Sequence, residues 1–180
     1  MTPTLIGYFP KRTEKHPDWL KGSGVEEICS ASKCISRGPE DWIQFWRHNE
    51  MWVFDTPELA ISIAPKKEAQ EFDIYAYKMF PVRFLEGKQE PFNIPKLEVR
   101  PLTPAFEFLG FDIVSYEYND FHHSPLSCNS MAEKTQVNRH CLVDHAETAL
   151  QLAETFERDG CEPGPYHVVE VWRMKPPAKE

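Results

Sequence analysis

Prolines decide which folds are open to this chain. There are 16 of them in 180 residues, against 8 glycines. Each fixes φ and removes a backbone donor. KQEPFNIPKLEVRPLTPAF (88–106) carries Pro91, Pro95, Pro101 and Pro104, a spacing that breaks a helix and cannot sit in a central strand. The stretch predicts an extended connector over 88–104, with an edge strand at Lys96–Arg100. Elsewhere prolines punctuate short elements, which argues against a helical bundle.

Between the breaks, the apolar pattern is mostly that of strands. TLIGYF (4–9) and VEEICSASKCIS (25–36) predict strands, separated by a polar loop. EFDIYAYKMFPVRFLEG (71–87) is rich in aromatic and β-branched residues and predicts one strand, bent or stopped at Pro81. LGFDIVSYEY (109–118) and YHVVEVWRM (166–174) predict two more, and CLVD (141–144) a brief one.

Helix signals are fewer. Pro39, Glu40 and Asp41 suit a first helical turn. Trp42, Phe45 and Trp46 then fall at i, i+3, i+4, with Trp42 and Phe45 expected in the core. Thr56 can cap a short helix opened by Pro57 and stopped by Pro65. Asp144 and Glu147 form a D-x-x-E box, and Ala149, Leu150, Ala153 and Phe156 line one face of the helix that follows. Gly160 ends it. The tail 175–180 is expected to fray. Without regular βαβ alternation, these elements predict the α+β class: a mostly antiparallel, mixed sheet of short strands with two or three helices packed on it. Residues 1–180 read as a single domain without internal repeats.

Lys and Arg total 20 against 28 Asp and Glu, a net charge of −8. Such a chain repels phosphate backbones, which argues against nucleic-acid partners. No run approaches 18 apolar residues, so no membrane span is expected. The N-terminus lacks a leader pattern. Five cysteines (Cys29, Cys34, Cys128, Cys141, Cys161) are an odd number, and the expectation is free thiols in a reducing cytoplasm.

Chemistry-bearing side chains concentrate in FHHSPLSCNSM (121–131) and on to residue 145. A zinc site using His123, Cys128, His140 and His145 has the right donor types. The spacing is poor, because adjacent pairs such as His122–His123 point apart on a strand. The sequence therefore commits to no metal and no cofactor. Cys128 precedes SMAEK. If that segment begins a helix, the dipole acidifies the thiol. His122, His123 or His140 could act as its base, with Asn129 or Asp144 orienting the ring. No known nucleophile signature or phosphate loop accompanies them. Asp112, inside a strand pattern, is expected to face water or pair with an arginine. Trp46, Trp52, Tyr75 and Tyr77 are candidate contacts for a partner, since aromatic residues supply interface hot spots when exposed.

Two functions follow as expectations. The preferred one is a small acidic binding module, immunity- or antitoxin-like, that occludes a basic protein partner as a monomer or homodimer. The alternative is a cysteine/histidine hydrolase or transferase, or a metal-binding protein, with its site in 121–145. That segment is where any activity is expected to reside.

Overall fold

The computed structural model describes residues 1–21, 23–35, 46–64, 72–118 and 120–176. In chain order its strands are β1 (Thr4–Lys11), β2 (Glu14–Lys15), β3 (Glu27–Ile28), β4 (Asp73–Met79), β5 (Val82–Leu85), β6 (Lys88–Pro91), β7 (Phe106–Glu117), β8 (Asp120–Phe121) and β9 (Tyr166–Met174). The α-helices are α1 (Pro57–Ile63), α2 (Pro125–Cys128, one turn) and α3 (Ala146–Asp159).

β9 organises the sheet. β7 runs along one of its edges, while β4 and then β5 share the other. β1 lies outside β4, β6 outside β5, and β8 folds back on β7. These seven strands make one curled sheet, an α+β fold with three α-helices among the described residues. Every pairing among the described residues is antiparallel. Tyr166, Val168, Val169 and Val171 of β9 are all buried, because both faces of this strand are covered.

Two glycines let the sheet curl. The register shifts between Leu5 and Gly7 in β1, and between Phe108 and Gly110 in β7. Gly7 (φ +148°) and Gly110 (φ +142°) adopt conformations that other residues avoid. A Cβ at Gly7 would lie 2.6 Å from Val53 Cγ2, and one at Gly110 2.8 Å from Leu142 Cβ. Bulges of this kind bend a strand and sharpen its twist.

One face of α3 buries Ala149, Ala153 and Phe156 in a cluster with Phe84, Phe111, Tyr166 and Val168. A second cluster holds α1 residues Ala60 and Ile63 together with β1 and β4. Thr56 caps α1, accepting from Leu59 N at 3.2 Å. α3 ends at Gly160 in the left-handed region. No helix among the described residues is long and apolar enough to cross a membrane.

Several expectations need correction. The strand over 25–36 shrinks to Glu27–Ile28, because Ser30 turns the loop by accepting from Ser32 N at 3.0 Å, in competition with a ladder. No strand forms at 96–100, where Arg100 N bonds instead to Asp55 O. Residues 141–144 make a single bridge, Phe111 with Val143. The N-cap position of α3 falls on His145, whose side chain makes no capping bond, while the Asp144 carboxylate accepts from Asn138 Nδ2 at 2.9 Å. The 71–87 segment does divide, into β4 and β5 around Pro81. Lys175 is not frayed, as its N–H bonds to Ala105 O at 2.8 Å. Of the helix expected within 37–49, the part up to Phe45, with Trp42, lies outside the described residues, as does the stop at Pro65.

Candidate functional site

The loop 27–34 meets the segment 121–145 along a seam built around Asp112. Asp112 is fully buried in β7. It accepts from Ser30 Oγ (2.7 Å), Ala31 N (2.8 Å), Ser124 Oγ (2.7 Å) and Ile113 N (2.9 Å). Burial pushes its pKa up, and these bonds pull it back. It neither faces water nor pairs with an arginine. The nearby cation is Lys11, whose ammonium donates to the Ser30 and Ser32 carbonyls. Burial brings the Lys11 pKa down to about 7, against the pull of Asp112.

At one end of the seam stand Glu27, Cys29, His140 and Arg173. Glu27 Oε1 lies 2.6 Å from His140 Nδ1 and accepts from Arg173 NH1 at 2.8 Å. The hydrogen bond with His140 holds the Glu27 pKa down to about 2, with Arg173 assisting and burial opposing. Cys29 Sγ sits 4.0 Å from the same Nδ1. Burial raises that thiol to about 12. A Cys–His nucleophile needs an imidazole nitrogen free to take the thiol proton. Here the near nitrogen is held by Glu27, and Nε2 faces Arg139 Nε at 3.3 Å.

At the other end, Cys34 and Cys128 form a disulfide that links residues 94 apart in sequence. The expectation of five free thiols therefore fails for this pair, while Cys29, Cys141 and Cys161 remain free. His123 shares the neighbourhood: one ring nitrogen and the two sulfurs lie within 4.8 Å of one another. Cys128 closes the turn of α2 instead of preceding a helix, so it sits at the wrong end of a dipole for acidification. The SMAEK segment is only a 3-10 turn at Met131–Glu133.

The residues grouped by sequence thus divide. His123 and Cys128 come together, His140 joins Cys29 and Glu27, and His145 stands at the N-terminus of α3. They do not form the four-ligand set His123, Cys128, His140 and His145. Asn129 orients no ring, because its Nδ2 donates to Cys161 O at 2.9 Å. Tyr75 and Tyr77 are 1% exposed core residues, closed to a partner. Trp46 is 76% exposed.

Trp52 leads elsewhere. It lines a hollow of about 570 Å³ with Met51, Arg83, Phe92, Tyr116, Tyr118, His167 and the carboxylates Glu50 and Glu117. The hollow lies where β9 begins and β7 ends. Trp52 stacks on His48, with centroids 4.4 Å apart, and Tyr116 OH donates to Met51 Sδ at 3.5 Å. Phe92 meets the His167 ring edge-on at 4.5 Å. Arg83 is committed to Glu90, donating from Nε (3.1 Å) and NH2 (3.0 Å). His167 is fully buried, and neither ring nitrogen makes a hydrogen bond of normal geometry. Burial brings its pKa down to about 3, with Arg83 adding to the effect and the Val82 backbone opposing it. A hollow of about 260 Å³ shares Glu117 and Tyr118 with this one and is lined by His122 and His123.

Sequence reasoning missed Glu27, Cys34, Arg173, Tyr116 and His167. Only His167 left a local signal, a histidine inside the apolar strand YHVVEVW. The others are joined through contacts distant in sequence. No family model matches the chain, and neither curated proteins nor solved structures yield a match.

Proposed function

We propose that this chain is a non-catalytic binding module of the immunity- or antitoxin-like kind. It occludes a basic protein partner by taking one arginine or lysine side chain into the hollow at Trp52, Tyr116 and His167. The observation that carries this reading is the composition of that hollow. Aromatic walls attract a cation through their ring faces, and Glu50 and Glu117 supply charge at the rim. The competing cation, Arg83, is already held by Glu90. His167 is neutral at physiological pH and repels nothing. The net charge of −8 adds long-range attraction for a basic partner.

The thiol–imidazole enzyme has less support. Cys29 is protonated at neutral pH and buried, and Cys128 is bonded to Cys34. Neither presents a thiolate to solvent.

Calorimetric titration with N-acetyl-arginine amide and with its neutral isostere N-acetyl-citrulline amide tests the proposal. The arginine probe binds, the citrulline probe binds at least about tenfold more weakly, and about 0.5 M salt reduces the difference. Equal binding of the two probes, or none by either, contradicts it.

A further inference from the structure

We infer that Cys34, Cys128 and His123 form a divalent-metal site of the zinc class when the two thiols are reduced, and that oxidation to the disulfide closes it. The two sulfurs and one ring nitrogen of His123 lie within 4.8 Å of one another. Zinc bonds of about 2.0–2.3 Å in tetrahedral array place donor atoms roughly 3.5–3.8 Å apart. On reduction the two sulfurs move apart from bonding distance towards that spacing, and side-chain rotation brings the His123 nitrogen onto the same ion. Two thiolates and an imidazole select zinc over magnesium or calcium, and leave a fourth position for water.

The donors come from two segments, the loop 27–34 and residues 121–128, which are hydrogen-bonded to each other and to β7. Lys33 N donates to Phe121 O at 3.1 Å, which fixes the loop carrying Cys34. His123 is clamped to β7: its N–H donates to Ser115 Oγ at 3.0 Å, and its carbonyl accepts from Ser115 N at 2.8 Å. Cys128 N donates to Ser124 O at 2.8 Å, and the Ser124 hydroxyl binds Asp112. Ser32 Oγ lies 3.3 Å from Cys34 Sγ and 3.7 Å from Cys128 Sγ. An O–H···S bond from that hydroxyl would stabilise a thiolate, as outer partners do at metal sites. Cys34 is exposed and the other two donors are half-buried, so both an ion and a small oxidant can enter. The other His/Cys cluster is a poorer site, since a metal there must displace Arg173 from Glu27.

Zinc binding expels the two thiol protons. Oxidation by a low-molecular-weight disulfide then forms the Cys34–Cys128 bond and passes two electrons to the oxidant. The oxidant's S–S bond breaks, and its two sulfurs take protons from solvent. Zinc leaves as Zn²⁺, because His123 alone cannot hold it.

Full-length protein, reduced with a phosphine and desalted anaerobically, is titrated with Co²⁺ and then Zn²⁺. The expected result is one Co²⁺ per chain, with the visible bands of a tetrahedral site and thiolate-to-metal charge transfer, displaced by Zn²⁺. The same protein oxidised with glutathione disulfide takes up none. Cys34→Ser and Cys128→Ser abolish uptake, His123→Ala weakens it at least about tenfold, and Cys29→Ser leaves it unchanged. The contrast between reduced and oxidised wild type needs no substitution, so a misfolded variant cannot hide the answer. Absence of stoichiometric uptake by the reduced chain, equal uptake by the oxidised chain, or loss in Cys29→Ser with retention in Cys34→Ser overturns the inference.

Discussion

In the seam where residues 27–34 meet 121–145, Asp112, Glu27, His140 and Lys11 each face a partner inside the protein. In the hollow at Trp52, Tyr116 and His167, aromatic rings form the walls and two carboxylates stand at the rim. A buried polar group with its hydrogen bonds complete holds segments together. The richest collection of reactive residue types in the sequence is largely bonded within the protein, and the plainer aromatic hollow is the place proposed for a partner.

If the contrast is right, the two regions respond differently to substitution. The largest effect belongs to Asp112→Ala. It strands Ser30, Ser124 and the Ala31 N–H, and leaves Lys11 without its buried counter-charge. The expected cost is about 3–5 kcal/mol in urea unfolding.

His167 contributes next, through pH. Its pKa falls from 6.5 to about 3 on folding. Between these values the unfolded chain takes a proton that the folded chain refuses, so stability declines as pH drops from 6.5 towards 3, by up to about 1.4 kcal/mol per unit. His167→Phe, which keeps a ring between Phe92 and Tyr116, should flatten thermal stability over that range. An unchanged slope would show that the decline arises elsewhere.

Glu27 acts in a more acidic window. Its pKa is held down from 4.5 to about 2, so its contribution is complete above pH 4.5 and is lost as pH falls towards 2. Glu27→Gln should lower stability by about 1.5–3 kcal/mol at neutral pH and remove that acid limb. Circular dichroism against pH checks both.

How much of this was written in the sequence depends on the range of the interactions. β1, β7, β9, α1 and α3 follow from local pattern and punctuation: the apolar run in LGFDIVSYEY, the proline before Glu58, the glycine after Asp159. The 25–36 loop misled because its β-branched residues imitate a strand, while Ser30 and Asp112, 82 positions apart, fold it otherwise. The Cys34–Cys128 bond and the pairing of Glu27 with Arg173, 146 positions apart, leave no trace in local spacing. The split of the histidines was half legible. Adjacent His122 and His123 cannot both enter one strand face, but which of them would meet Cys128 depended on how β8 turns off β7.

The smallest effect on stability is expected at Tyr118, 86% exposed on the rim of the hollow. Tyr118→Ala should change unfolding free energy by no more than about 0.5 kcal/mol. It should still weaken the arginine probe about fivefold. A variant that loses stability and keeps binding would reverse the roles assigned to the two regions.

The most direct measurement is a map of backbone and indole N–H chemical-shift changes as N-acetyl-arginine amide is added to ¹⁵N-labelled protein. The account predicts that the shifts gather at residues 50–52, 83–85, 116–118 and 165–167, with the Trp52 indole among them, and spare the segments 27–34 and 121–145. Shifts concentrated around Cys29, His123 and His140, with the hollow silent, would contradict it.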